Sequence, residues 1–100
     1  MPRQSVNVPL TEPIRAHGEV VSSVTIRPLT AKDIRQFGDP RVFSVDGLTF
    51  HFNTAIIAAL LAAAGNIPPS SVDQMDPADF DACGKAVVDF FLPQTKPETS

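Results

Sequence analysis

The sequence predicts an α+β fold in which an N-terminal antiparallel β-hairpin packs against two to four α-helices. Apolar and polar residues alternate over the first part of the chain, and this period of two is typical of half-buried strands. From residue 53 onward, apolar residues recur at spacings of three and four, as they do on one face of a helix. Prolines, glycines and helix-capping residues separate these segments, so strands come first and helices follow.

Two N-terminal strands are predicted to form the hairpin. The first carries a row of apolar side chains on one face: Val6, Val8 and Leu10. The second carries a similar row: Val20, Val24 and Ile26. Pro9 confines the first strand to an edge or marks its end, because proline has no N–H to donate. We expect a loop near residues 13–18 to join the two strands.

A short helix should follow the hairpin. Thr30 is a good N-cap and Asp33 occupies the N3 position, which together are typical of a helix start. Gly38 and Pro40 should end this helix after Phe37.

Residues 41–52, RVFSVDGLTFHF, allow two interpretations. Asp46-Gly47 is typical of a two-residue type I′ turn and predicts a second hairpin. Such a turn places two apolar pairs on one face: Val45 with Leu48, and Phe43 with Phe50. The alternative is an irregular loop whose phenylalanines fill the core.

Helices are predicted for the C-terminal half. Asn53 or Thr54 caps the first, and Gly65 should stop it from the C′ position. The two prolines at 68–69 then break the chain, and one more short turn can follow at residues 70–73.

The last helix has the clearest start signals. Asp76 is the N-cap, Pro77 sits at N1, and Asp79 at N3 brings a negative charge to the positive end of the helix dipole. One stripe of side chains should face the core: Phe80, Cys83, Val87, Phe90 and Phe91. Gly84 lies beside this stripe and indicates that another segment comes close.

The end of this helix carries more apolar residues than a small core needs. Val88 and Leu92 widen the stripe, and Pro93 should end the helix. The polar residues 94–100 are expected to form a disordered tail, which leaves residues 1–93 as a single α+β domain.

Composition argues against several classes of protein. The net charge of -3 and the scattered basic residues argue against binding to nucleic acid. The longest apolar run, residues 55–65, is about half of the roughly 20 residues that a membrane-spanning helix needs, so no membrane association is expected. A single cysteine and a start, MPRQSVNVPL, without the apolar core of a secretion signal predict a soluble protein in the reducing cytoplasm.

Residues for catalysis or metal binding do not form a convincing set. Cys83 lies on the apolar stripe, where a cysteine usually acts as a small hydrophobe. His17 falls in a glycine turn and His51 alternates with phenylalanines, so neither is expected to join Cys83 in a zinc site. Asp76 and Asp79 are explained by the helix start. We therefore expect no enzyme activity, no catalytic residues, no cofactor and no metal.

Two stretches resemble a known protein family. The first runs over residues 6–35 and includes VPLTEPI and GEVVSSVTIRPLTAKDIR. The second runs over residues 60–93, from LLAAAGN through MDPADF to KAVVDFFLP. Together the two cover about two thirds of the chain, and the first includes a characteristic pattern between Arg27 and Arg35. Their order and spacing resemble the small tail assembly chaperones of Mu-like and related contractile-tailed bacteriophages. Residues 38–53 do not align with this pattern.

This resemblance implies a non-enzymatic protein made in an infected bacterial host cell or from a prophage. Such a chaperone would bind the long helical tape measure protein and keep it soluble until the tail tube polymerises around it. It would act in the host cytoplasm and would be missing from the mature virion. The resemblance also implies a longer, frameshifted form of the chain as a partner. The alternative is a structural tail or connector subunit that is retained in the virion.

The terminal helix supplies the candidate partner-binding surface. A domain that shields the apolar stripes of a helical partner needs an apolar face or groove of its own. We expect Val88, Phe91 and Leu92 to contribute to it, whereas Phe80 and Val87 should belong to the core. The same three residues could instead serve self-association into a homo-oligomer.

Overall fold

A computed structural model gives the structure of the chain, and it describes residues 4–43 and 50–91. The described residues form four strands and four helices in this order: β1 Val6–Ala16, β2 Glu19–Ile26, α1 Ala31–Phe37, β3 Arg41–Phe43, β4 Phe50–Phe52, α2 Thr54–Gly65, α3 Pro69–Asp73 and α4 Pro77–Asp89. Strands β1 and β2 form one antiparallel sheet, and β3 and β4 form another. The predicted α+β fold with its N-terminal hairpin is confirmed.

The turn of the first hairpin lies later than predicted. β1 continues through Ala16, and the chain reverses at His17 and Gly18, whose φ angles are 55° and 78°. A two-residue turn with positive φ at both positions matches the right-handed twist of the flanking strands. The predicted loop at 13–18 was therefore wrong, because Pro13 is accommodated inside the strand.

An irregularity in the ladder makes room for Pro13 and reverses the faces of the hairpin. Residues 10–13 of β1 lie opposite Ser22 alone, between the pairs Pro9↔Ser23 and Ile14↔Val21. Beyond this point Val21 follows buried Ile14 toward the core, while Val20 is 65% exposed. The prediction that Val20 shares a face with Val24 and Ile26 was wrong, since a strict period of two does not continue through such an irregularity.

The start of α1 is fixed by the predicted capping residues. The Asp33 carboxylate accepts hydrogen bonds from the Thr30 N–H (2.8 Å) and from Thr30 Oγ1 (3.2 Å). It also forms a two-pronged ion pair with the Arg27 guanidinium, at 2.8 and 2.9 Å. This ion pair joins Arg27, which directly follows β2, to the first turn of α1.

The second small sheet agrees with the hairpin interpretation of residues 41–52. Phe43 of β3 lies opposite Phe50 of β4, as the predicted register requires. Phe43 is 65% exposed, so it does not fill the core as the irregular-loop alternative proposed. The predicted turn at Asp46-Gly47 and the Val45–Leu48 pair lie outside the described residues.

Helix α2 begins as predicted, but the residue that stops it lies one position later than predicted. The Asn53 side chain accepts hydrogen bonds from the N–H groups of Ala55 and Ile56. At the other end, Asn66 rather than Gly65 takes the left-handed conformation, with a φ of 55°. Gly65 stays in the last helical turn, where a Cβ would lie 2.8 Å from Val24 Cγ1. Glycine is needed here for close packing on β2, and asparagine tolerates the left-handed position.

Helix α4 also begins as predicted, with Asp76 accepting a hydrogen bond from the Ala78 N–H at 3.0 Å. It ends at Asp89, with Phe90 as its C-cap, which is earlier than the predicted stop at Pro93. Pro93 itself, Leu92 and the predicted tail at 94–100 lie outside the described residues.

The core lies between the first hairpin and the two longer helices, α2 and α4. Its most deeply buried side chains include Ile26, Leu60, Leu61, Cys83 and Val87. The predictions that Cys83 and Val87 are core residues are confirmed. Phe80 is only partly buried and packs at the edge of this core, because α4 turns it toward an open groove.

Gly65→Ala is expected to destabilise the fold by about 1 to 2 kcal/mol, although alanine favours helix formation. The new methyl group would meet Val24 Cγ1 at 2.8 Å, and Val24 is 2% exposed, so part of the packed core between α2 and β2 must shift to admit it. Urea unfolding measures the change. Gly18→Ala provides a contrast, since its Cβ would meet nothing within 4 Å and any loss there reflects the φ of 78° alone. An unchanged or higher stability of Gly65→Ala would contradict the packing argument.

Candidate functional site

The cysteine and the two histidines, all among the described residues, lie on three different parts of the fold. Cys83 is fully buried, and its burial raises the pKa of the thiol to about 11. His17 bonds through Nε2 to the Asn66 carbonyl oxygen at 3.0 Å, and His51 is exposed on β4. Among residues 4–43 and 50–91, no three His, Cys, Asp or Glu side chains are grouped so as to hold a metal ion.

Asp79 has a structural role that the sequence did not reveal. Its buried carboxylate accepts hydrogen bonds from the Thr11 N–H (3.0 Å), Thr11 Oγ1 (3.1 Å) and the Glu12 N–H (3.1 Å). These bonds join the first turn of α4 to the irregular part of β1. The predicted role at N3 of the helix described only half of this residue's function.

Acid should weaken the fold through Asp33 and Asp79. Hydrogen bonds from Arg27 hold the pKa of Asp33 far below its usual range, and those from Thr11 lower the pKa of Asp79. A carboxyl group whose pKa is lower in the folded state adds stability above its unfolded pKa of about 3.9 and loses it as the pH falls further. We expect a nearly constant Tm between about pH 5 and 7 and a steep fall below about pH 4.

Asp33→Asn tests the origin of this acid sensitivity. Without the titrating group, the fall in Tm between about pH 5 and pH 3 should be smaller than in the wild-type chain. The exposed Asp81→Asn serves as the matched control and should follow the wild-type curve. Identical curves for Asp33→Asn and the wild type would show that Asp33 does not contribute.

An apolar groove separates the exposed sides of α2 and α4. One part of it has a volume of about 560 Å³, with Ile57 and Gly84 at its base and Phe80 and Val88 beside them. Its remaining lining residues are Phe52, Thr54, Asp81 and Lys85. Gly84 allows the close approach, since a Cβ there would lie 3.3 Å from Ile57 Cγ2.

The groove continues past Phe80 toward the N-terminus of α4. A second part, of about 410 Å³, shares Phe80 and Thr54 with the first. Its other lining residues are Ala55, Ala58, Val72, Asp73, Met75 and Pro77. We call both parts together the α2/α4 groove. Phe80 stands in its middle, and Asp73, Asp81 and Lys85 supply its charged side chains.

The chemistry of the α2/α4 groove suits apolar side chains of another polypeptide. Aliphatic and aromatic side chains make up most of its lining, and its charged side chains are limited to Asp73, Asp81 and Lys85. An elongated apolar groove between two helices is a common binding site for a third helix.

Val88 and Phe91, two of the three predicted partner-binding residues, lie in different places. Val88 lines the α2/α4 groove. Phe91 lies in a separate recess of about 210 Å³ with Leu29, Ile34 and Phe90, and the Arg41 guanidinium lies 5.0 Å from its ring centroid. Leu92 lies outside the described residues. Sequence reasoning missed Phe52, Ile57 and Phe80 as groove residues, although Gly84 had indicated a close contact at this place.

The fold and the groove define a small α+β protein whose described residues form an apolar surface suited to another polypeptide. A family model described as "Phage tail assembly chaperone proteins, E, or 41 or 14" matches residues 7–92. The chain therefore belongs to the phage tail assembly chaperone family. The match includes residues 38–53, which the resemblance seen in the sequence did not cover. No curated protein and no solved structure matches the chain.

Across residues 4–43 and 50–91, none of the helices combines the length and the apolar character needed to cross a membrane.

Proposed function

We propose that this chain is a non-enzymatic chaperone that binds the tape measure protein during assembly of the phage tail. It acts in the cytoplasm of the bacterial host and is not retained in the mature virion. The observation that carries the proposal is the α2/α4 groove in a chain of the tail assembly chaperone family. Its function requires binding and release of a polypeptide and no catalytic group.

The groove fits one apolar stripe of a helix. Apolar residues on such a stripe recur at spacings of three, four and seven, and alternate anchors enter successive recesses of the groove. Phe80 divides the α2/α4 groove into two recesses of about 560 and 410 Å³, each large enough for at least one large apolar side chain. A tape measure helix would thereby hide its apolar stripe from other copies of itself, which would prevent aggregation before the tail tube forms.

Val88, Phe91 and Leu92 are the residues that we propose for partner binding. Val88 is placed within the groove, and Phe91 follows it at the end of α4, where it is partly buried. A longer form of the chain, produced by frameshifting, would share the same groove. The net charge of -3 offers no favourable site for nucleic acid.

Phe91→Asp is expected to weaken partner binding more than it lowers the free energy of unfolding. Phe91 lies at the margin of the fold, partly exposed and with the Arg41 guanidinium over its ring, so a carboxylate there would keep access to water. Circular dichroism melting and co-purification with the partner provide the two readouts. If the isolated domain simply unfolds, Phe91 belongs to the core and not to the binding surface.

Co-expression with the tape measure protein tests the proposed function directly. The chaperone should co-purify with that protein and increase its soluble fraction. Absence of both effects would contradict the proposal. Mass spectrometry of purified virions separates the alternative, because a structural tail or connector subunit should be present in many copies and a chaperone should be missing.

A further inference from the structure

The two outer edges of the first hairpin differ in how well they are covered. On β1, the N–H groups of Thr11 and Glu12 donate to the Asp79 carboxylate, and the Arg15 N–H donates to Gln74 Oε1 at 3.1 Å. Helices α3 and α4 therefore occupy the backbone groups that another strand would need.

Side chains of β1 and α3 complete this cover. Ser71 of α3 donates its hydroxyl to the Arg15 carbonyl oxygen. Pro9 and Pro13 have no N–H, and proline on an edge strand prevents pairing with a further strand. The β1 edge is thus protected along most of its length.

The β2 edge lacks such protection. Its sequence, EVVSSVTI, contains no proline, glycine or lysine and is rich in β-branched residues, which favour strands. Among the described residues, no helix or loop hydrogen-bonds to the backbone of Glu19–Ile26. The first such bond comes just beyond the strand, where the Arg27 N–H donates to the Ala64 carbonyl oxygen at 3.1 Å.

The register shows which backbone groups of β2 point to this open edge. Pro9 lies opposite Ser23 and has no N–H, so this pair occupies a position where the backbone groups point away from the ladder. The pair Asn7↔Thr25 lies two residues along and has the same orientation. The N–H and C=O groups of Ser23 and Thr25 are therefore directed outward and available to a further strand.

We propose that β2 pairs with β2 of a second copy of this chain, in antiparallel orientation about a twofold axis at Val24. This pairing joins the two hairpins into a four-stranded sheet. It places Ser23 opposite Thr25 of the second copy, and serine and threonine form favourable cross-strand pairs. The two residues already form a polar row with Asn7, whose amide donates to Ser23 Oγ (3.4 Å) and Thr25 Oγ1 (2.9 Å).

The same register explains why a second copy fits better than an arbitrary strand. Directly opposite residues in an antiparallel pair lie on one face of the sheet, so the polar rows of both copies become continuous. Their apolar faces, which carry Val24 and Ile26, then lie on the other side together with both helical layers. An edge that is self-complementary in this way gives a closed, isologous dimer.

Two matched proline variants test the pairing by sedimentation equilibrium of the full chain. Thr25→Pro removes an outward N–H from the β2 edge, and Ser5→Pro places the same residue just before β1, where it is exposed and outside the proposed pairing. Neither change removes a hydrogen bond between β1 and β2. We expect a wild-type dimer, a dissociation constant raised at least about tenfold by Thr25→Pro, and little change with Ser5→Pro.

Further measurements keep the result unambiguous. Thr25→Lys replaces Thr25→Pro if the proline variant loses its circular dichroism spectrum, since charged edge residues also oppose pairing. The amide protons of Ser23 and Thr25 should exchange slowly in the dimer and quickly after dilution. A wild-type monomer at about millimolar concentration, or equal effects of the two proline variants, would overturn the proposal. Dissociation by Val88→Asp alone would place the interface in the groove and also overturn it.

Discussion

Val88→Asp is expected to weaken binding of the tape measure protein by roughly thirtyfold or more, which corresponds to about 2 kcal/mol, while the chain remains folded. Val88 is partly exposed and lines the α2/α4 groove. A carboxylate at this position must lose its water when an apolar side chain of the partner enters the groove. The exposed Lys85, one turn earlier on α4, offsets only a small part of this cost, because exposed ion pairs contribute little. Calorimetric titration with a helical tape measure segment measures the loss.

Val6→Asp is the matched control for this experiment. Val6 is 38% exposed on β1 and does not line the groove, so the same change there alters the charge equally without touching the proposed site. Binding by Val6→Asp should equal that of the wild type. If both variants bind equally well, the partner does not use the groove; if both bind equally poorly, the net charge of the chaperone and not the groove controls binding.

The fold could be predicted from the sequence wherever a local signal determines local structure. Thr30 with Asp33, and Asp76 with Pro77, mark helix starts because they satisfy backbone N–H groups within one turn. The pairing of Phe43 with Phe50 follows in the same way from the separation of the two strands.

Predictions failed where distant contacts decide between local alternatives. Gly65 looked like a helix stop, but its contact with Val24 keeps it inside α2 and moves the left-handed residue to Asn66. Pro13 looked like part of a loop, although the irregular ladder of β1 accommodates it. Neither outcome can be read from the neighbouring sequence, because Gly65 packs on Val24 and the irregular part of β1 is hydrogen-bonded to Asp79 of α4.

The candidate site, too, could be predicted from the sequence only in part. Surplus apolar residues at the end of the last helix predicted a shared surface at Val88, Phe91 and Leu92. Val88 lines the α2/α4 groove, and its use by a partner stays a prediction. The sequence did not separate Val88 from Phe91, which line different recesses, since the direction of each side chain depends on how α4 packs and ends. It also assigned Phe80 to the core, whereas the spacing between α2 and α4 at Gly84 leaves that ring beside the groove.

Val87→Asp should unfold the chain, whereas the same substitution at the neighbouring Val88 should leave it folded. Val87 is 0% exposed and belongs to the core between α2, α4 and the first hairpin. A carboxylate buried there without a partner would cost about 4 kcal/mol or more, which approaches the whole stability of about 5 to 15 kcal/mol of a typical domain. We expect an unfolded or aggregated chain, measured by loss of the far-ultraviolet circular dichroism spectrum and of a cooperative thermal transition.

The pair of variants separates the two functions of α4. Residues on one side of the helix hold the domain together, and residues on the next side remain available to a partner, because successive helix positions differ by about 100° in direction. Folded Val88→Asp together with unfolded Val87→Asp would locate the boundary between core and binding surface between these two valines. If Val88→Asp also unfolds, the apolar end of α4 is required for the fold itself, and the binding surface must lie elsewhere on the molecule.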